Sequence, residues 1–242
     1  MEIKPIRAKD RKFVVEEESY FAFDELFFSR TDENGKILSG NSIFRRVSGY
    51  EWDELLDKPH SLIRHPDMPR AVFWLLWKTI ENGEPIGAYV KNRSKDGRYY
   101  WVFAIVTPID GGYLSVRLKP SSPFLAIVEK EYAELRALEN KENLKPEESA
   151  GILLGRLQAL GFRDYGSFLS TALSKEIVAR DKALGRKEDD VITHYEHLLE
   201  SSQQLLGHAT RVSEVYEKKC AAQPSGTSFS PWPRRCSDEC HI

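Results

Sequence analysis

The sequence predicts an α+β fold: a five-stranded antiparallel sheet with helices on one face, followed by a helical segment. Three observations predict it. Aromatic and β-branched runs are joined by Asp32-Glu33-Asn34-Gly35, Ser94-Lys95-Asp96-Gly97 and Asp110-Gly111-Gly112, residues that tolerate the reversed backbone of hairpin turns. Between the first two strands and the last three lie helical patterns, the strongest with Val72, Phe73, Leu76, Trp77 and Ile80 at three- and four-residue spacing, the mark of one buried face. After Pro120 the composition shifts to charged amphipathic helices. A sheet whose links are all hairpins or helical crossovers is antiparallel, with its helices gathered on one side.

In chain order, residues 1–24 carry basic and acidic clusters without periodicity and read as an N-terminal cap. Leu26 to Thr31 and Lys36 to Ser39 form the first hairpin. Asn41 to Val47 and Glu51 to Leu56 are two short helices that only packing can hold. A helix spans Arg70 to Glu81 and ends at Asn82-Gly83, as a C-cap would end it. Ala88 to Arg93, Tyr99 to Thr107 and Tyr113 to Leu118 are the last three strands, which closes a domain over 25–120. Helices then run from Pro123 to about Asn140, Glu147 to Leu160 and Asp164 to Leu184. A fourth, from about Glu188 to Lys219, places Val191, Tyr195, Leu198, Ser202, Leu205, Ala209, Val212 and Tyr216 on a heptad seam. Residues 121–219 therefore read as a helical dimerisation and signalling segment, and a homodimer is expected. From Cys220 the register is lost, and 220–242 read as a disordered tail whose abrupt start suggests a truncated or altered reading frame.

Composition excludes several function classes. The 35 basic and 37 acidic residues leave a net charge of −2, which gives no field for a nucleic-acid partner. No apolar run approaches the length of a membrane span, and Met1 to Arg7 are too polar for a signal peptide. The three cysteines, Cys220, Cys236 and Cys240, all fall in the tail, so the folded part has no disulfide framework. A zinc site drawn from them with His241 is a poor candidate there. The expectation is a cytoplasmic protein.

One stretch concentrates chemistry. Pro59-His60-Ser61-Leu62-Ile63-Arg64-His65-Pro66-Asp67-Met68-Pro69 sets two imidazoles, a guanidinium and a carboxylate between three prolines. Proline fixes its own φ and restricts the residue before it, so this is a stiff, irregular loop able to aim charges at one place, as anion recognition requires. The aromatic helix after it, with Phe73, Trp74 and Trp77, suggests that loop and helix are the rim and wall of a cofactor pocket.

The residues Asn41-x-x-Phe44, Ser48-Gly49-Tyr50, Ile63-Arg64-His65-Pro66-Asp67-Met68-Pro69, Gly83-Glu84-Pro85, Val90-Lys91-Asn92-Arg93, Tyr100-Trp101-Val102 and Gly112-Tyr113-x-Ser115-Val116-Arg117 resemble the FAD-binding PAS domain of the bacterial aerotaxis transducer (Aer) family. The likeness covers residues 25 to 120. It implies a PAS fold, FAD as cofactor, redox or oxygen sensing for aerotaxis-type chemotaxis, and no enzymatic activity. Downstream it implies a chemotaxis coupling protein and a histidine kinase, reached through a signalling region not visible in this chain. In that family the positions matching Asn41, His60, Arg64, His65, Asp67, Trp77 and Asn92 are implicated in FAD binding. On this reading Arg64 suits the pyrophosphate, with His60 or His65 adding a contact. Trp77 stacks on a ring, Asn41 or Asn92 meets the pyrimidine edge, and Asp67 orients Arg64 or the loop. The chain departs from the pattern at Pro85-Ile86-Gly87-Ala88, where the family commonly has Pro-Trp-x-Gly.

Plainer readings stand beside these. Arg64 and Asp67 can form a loop salt bridge, Trp77 can be core, and Asn41 can be a helix N-cap. His60 or His65 as axial ligand would make the pocket a haem site. A cofactor-free interaction module and a small flavin oxidoreductase are the remaining classes; the latter lacks a nicotinamide fingerprint.

Overall fold

Strand pairing sets the architecture. The computed structural model describes residues 13–186; the heptad seam, the cysteines and residues 1–12 lie outside them. The strands are β1 (Val15–Glu18), β2 (Phe27–Thr31), β3 (Ile37–Gly40), β4 (Ile86–Arg93), β5 (Arg98–Ile109) and β6 (Gly112–Leu118). β2 pairs antiparallel with β3 and β6, and β5 pairs antiparallel with β6 and β4. The five run across the sheet as β4-β5-β6-β2-β3. Between β3 and β4 come α1 (Ser42–Ser48), α2 (Trp52–Leu55), a 3₁₀ turn (His60–Ile63) and α3 (Arg70–Glu81).

Local chemistry explains the boundaries. The Asn41 side-chain oxygen accepts the Phe44 N–H at 3.1 Å, and Gly49 ends α1 in the left-handed conformation at φ 70°. Pro69 precedes α3, and Asn82 and Gly83 turn the chain out of it. At the β5–β6 hairpin Gly112 has φ 148°, and a Cβ there would lie 2.0 Å from the Thr31 carbonyl oxygen, so only glycine fits.

The five antiparallel strands are as expected, but a sixth joins them. β1 runs parallel to the start of β5, with Val15 opposite Arg98 and Glu18 opposite Tyr99. The segment read as a featureless cap thus completes the edge that β6 leaves uncovered. Ser19 Oγ anchors it by donating to the Val47 carbonyl at 3.0 Å.

The second departure concerns the helices. α4 (Phe124–Lys141), α5 (Pro146–Ala159) and α6 (Tyr165–Ala183) fold back against the domain. α5 packs on α3, and α6 on β4. Along β4, Ala88, Val90 and Asn92 share one face of the sheet while Gly87, Tyr89 and Lys91 share the other. α6 meets the second set: Tyr165 Oη donates to the Gly87 carbonyl at 2.9 Å, and Tyr89 Oη donates to Glu176 Oε1 at 2.7 Å. Helices therefore cover both faces, because the outer face of β4 and β5 carries large side chains such as Tyr89 and Phe103. Burying each is worth about 1.5–3 kcal/mol.

Two buried glutamates pin this arrangement. Glu176 accepts from Tyr89, from the Ser121 and Ser122 N–H groups at 2.6 and 3.1 Å, and from Ser122 Oγ at 2.6 Å. Glu139 of α4 accepts the first two N–H groups of α3, Arg70 at 3.0 Å and Ala71 at 3.1 Å. A carboxylate at a helix N-terminus meets both the orphan donors and the positive end of the dipole.

Candidate functional site

The inner face of the sheet and α3 enclose a cavity of about 450 Å³. Its floor is built from alternate residues of four strands: Ser29 and Thr31 of β2, Val90 and Asn92 of β4, Ala104 and Val106 of β5, and Tyr113, Ser115 and Arg117 of β6. Phe73, Leu76, Trp77 and Ile80 of α3 make the apolar wall, and His60, Ser61 and Arg64 of the proline-bounded loop make the polar rim. The loop is stitched in place by backbone bonds. His60 N–H donates to the Gly35 carbonyl at 2.9 Å, and Arg64 bridges to Asn92 across the end of β4. Gly35 also makes room for the Trp77 indole, which a Cβ would meet at 2.8 Å.

Four of the seven residues named from the sequence line this cavity: His60, Arg64, Trp77 and Asn92. Three do not. Asn41 caps α1, and its amide nitrogen donates to the Leu26 carbonyl at 2.8 Å. His65 belongs to the loop but is buried outside the cavity lining, and its Nδ1 accepts the Asp67 N–H at 3.2 Å. Asp67 faces outward and pairs with Lys91 Nζ at 3.1 Å. Asp67 thus orders the loop through His65 and Lys91, and no ion pair joins it to Arg64.

The electrostatics are unusual. Arg64 and Arg117 both lie in the cavity, and among the described residues neither pairs with a carboxylate. Burial pushes each guanidinium down to about 10. Arg64 sits over Phe73, its Cζ 3.5 Å from the ring centroid, and its Nε is buried without a partner. Arg117 Nη2 donates to Ser29 Oγ at 3.0 Å and to His60 Nε2 at 2.7 Å, while its Nη1 has no partner. Burial first, and then the charges of Arg117 and Arg64, holds His60 well below the usual imidazole range, so it is neutral. Assigned from its partners, its proton sits on Nδ1. Its ring stacks on Phe44 at 6.0 Å and 4°.

Asn92 Nδ2 and Ser115 Oγ are also buried without partners. Buried polar groups are almost always satisfied, and a buried cation without an anion costs several kcal/mol. Donors of this number, gathered in one cavity beside an aromatic wall, suit a ligand with an electron-rich or anionic edge and a flat apolar body. FAD has both, so the residues fit it. Haem fits less well: the His60 Nε2 that would bind iron is held by Arg117, and His65 does not face the cavity.

Arg117 and Ser115 were not legible as site residues from the sequence. The signal is an inverted pattern: on β6 the polar Ser115 and Arg117 point inward and are buried while Val116 points outward and is exposed. β2 repeats it, with Ser29 and Thr31 inside and Phe28 outside.

Residues 37–116 match the family model described as PAS fold. The chain carries a PAS-fold domain. Its PAS region is similar to the aerotaxis receptor of Escherichia coli strain K12, 40% identical over 130 residues, which are 52% of this chain and 26% of that protein. It is also similar to the nitrogen fixation regulatory protein of Klebsiella oxytoca, 30% identical over 81 residues, 34% of this chain and 16% of that protein. The biofilm dispersion protein BdlA of Pseudomonas aeruginosa matches at 31% over 104 residues, 42% of this chain and 25% of that protein. The chain thus spans about a quarter or less of the length of these relatives. Among solved structures, the PAS domain of a Colwellia psychrerythraea protein aligns at 19% identity and a TM-score of 0.36, covering 39% of this chain and 85% of that one. Among the described residues no helix is long and apolar enough to cross a membrane, and no group of three or more His, Cys, Asp or Glu side chains is placed to hold a metal ion.

Proposed function

We propose that the PAS domain is a sensor that binds FAD and reports redox state or oxygen to aerotaxis-type chemotaxis machinery. One observation carries the reading: two buried guanidinium groups without carboxylate partners share a cavity with an aromatic wall and further unpaired donors. The likeness to the aerotaxis receptor of Escherichia coli supports the aerotaxis part of the reading.

FAD, when bound, supplies a centre that takes up electrons and protons, so the charge on its ring edge follows the redox state. The protein's part is to hold that edge and to register the change. Arg64 offers five donors for the pyrophosphate, and the Trp77 indole offers a face for a ring. Asn92 has a free amide N–H and sits on β4, whose neighbouring residues Gly87 and Tyr89 are gripped by α6. A changed hydrogen bond at Asn92 thus has a short path to the helical segment. Through that segment the chain would act on a partner copy, a coupling protein and a histidine kinase.

The test is the absorption spectrum of the full chain purified without added cofactor, with the chromophore then released by heating. A flavin spectrum and free FAD support the reading. A Soret band replaces it with haem, and a colourless protein that takes up no FAD on reconstitution refutes it.

A further inference from the structure

Within the fold the Arg117 charge meets only neutral partners. It rises from β6, between β5 and β2 in the sheet, with Ala104 and Phe27 as register partners, and only 4% of it is exposed. Both of its acceptors are neutral, the Ser29 hydroxyl and the His60 imidazole. The Phe44 ring, 5.7 Å away, contributes a weak cation–π contact and no compensating charge. Its Nη1 is buried and unpaired. Leaving a charge in this state disfavours the ligand-free fold, and the imbalance ends when an acceptor-rich group arrives. Arg64 approaches the same cavity from the loop, so two separate elements each supply one cation.

We propose that Arg117 is a ligand-binding residue that sets charge specificity: it receives the innermost acceptor edge of the bound molecule, which for a flavin is the ring edge, and so selects ligands able to carry negative charge there. The identity of the ligand rests on the flavin reading; the role of Arg117 rests on the unpaired cation itself.

The experiment uses the full chain as wild type, Arg117→Met and Arg117→Lys, stripped of any bound cofactor. FAD and riboflavin are titrated separately, because riboflavin has the ring edge without the phosphates. Losing one charge-assisted hydrogen bond predicts that Arg117→Met binds both roughly ten- to a hundred-fold more weakly, with Arg117→Lys between. In the same ligand-free proteins the melting temperature of Arg117→Met should equal or exceed that of wild type, since a buried unpaired cation is removed. A loss for FAD alone would place Arg117 at the phosphates and overturn the assignment. Unchanged affinities, or a melting temperature lowered by more than about 4 °C, would make Arg117 a structural residue and overturn it as well. Should wild type bind neither flavin, the flavin reading fails on its own. Millimolar inorganic pyrophosphate then serves as the probe: raising the melting temperature of wild type but not of Arg117→Met upholds the role of Arg117, and equal response overturns it.

Discussion

Replacing Glu139 by alanine should loosen the cavity wall from a site outside the cavity. The Glu139 side chain is fully buried. Its Oε1 accepts from the Ala71 N–H at 3.1 Å and from Ser149 Oγ at 2.7 Å. Its Oε2 accepts from the Arg70 N–H at 3.0 Å and from Arg136 Nη1 at 3.1 Å. The substitution orphans two helix N-terminal donors, a buried hydroxyl and two ion-pair partners, Arg70 and Arg136. Breaking a buried pair costs about 3–5 kcal/mol, and the side chains of Arg70 and Arg136 keep 27% and 16% of their exposure. Partial access to water therefore places the figure near the lower end, about 3 kcal/mol. For a chain of this size that lowers the melting temperature by roughly 6–12 °C. Thermal unfolding followed by near-ultraviolet circular dichroism measures it, and amide exchange at Arg70 and Ala71 localises it to the start of α3. A change of less than about 2 °C, with both amides still protected, would refute the view that Glu139 holds this helix.

Other expectations follow from the same geometry. Burial, aided by Lys91 and Arg93 and opposed by Asp67, lowers the His65 imidazole to about 4, and His60 is lowered too. The unfolded chain therefore binds protons first, and stability present above about pH 6.5 is lost as pH falls towards about 4. Denaturant unfolding across that range should show the slope, and His65→Asn should flatten it. Gly112→Ala meets the Thr31 carbonyl and a φ that L-residues rarely adopt. It should cost at least about 2 kcal/mol, read as a lowered denaturation midpoint with loss of β2–β6 amide protection. Asn92→Ala should leave FAD bound, with affinity reduced roughly tenfold or less, while weakening redox-linked output. Full output with intact FAD would count against Asn92 as the reporter.

Much of the fold was legible because its signals are local. The α3 stripe from Val72 to Ile80, ending at Asn82-Gly83, predicts Arg70 to Glu81, and α3 spans those residues. The glycine turns at Gly35, Gly97 and Gly112 mark the hairpins for the same reason: each adopts a positive φ. β1 was not legible. Val15-Glu16-Glu17-Glu18 is exposed throughout, so no alternation betrays a strand, and only pairing with Arg98 and Tyr99 makes it one. The return of α5 and α6 onto the domain depends on long-range contacts, such as Tyr89 with Glu176, which no single stretch encodes.

The site was legible in part for a similar reason. Asn41 carries the ordinary N-cap signature, and capping is where its side chain is engaged. The loop residues His60 and Arg64 stood out because charge between prolines is conspicuous. Arg117 did not, since an arginine in a strand reads as solvent-facing unless its apolar neighbour Val116 is seen to be the outward one.

On the flavin proposal this cavity, whose Arg64 and Arg117 have no carboxylate partner, holds one flavin per chain. The most direct test is a fluorescence titration of FAD with the cofactor-stripped full chain, alongside Arg64→Met. Flavin emission should be quenched to an end point of one FAD per chain in wild type, and Arg64→Met should bind at least tenfold more weakly. Emission that does not change at any protein concentration, or equal binding by Arg64→Met, would contradict the proposal.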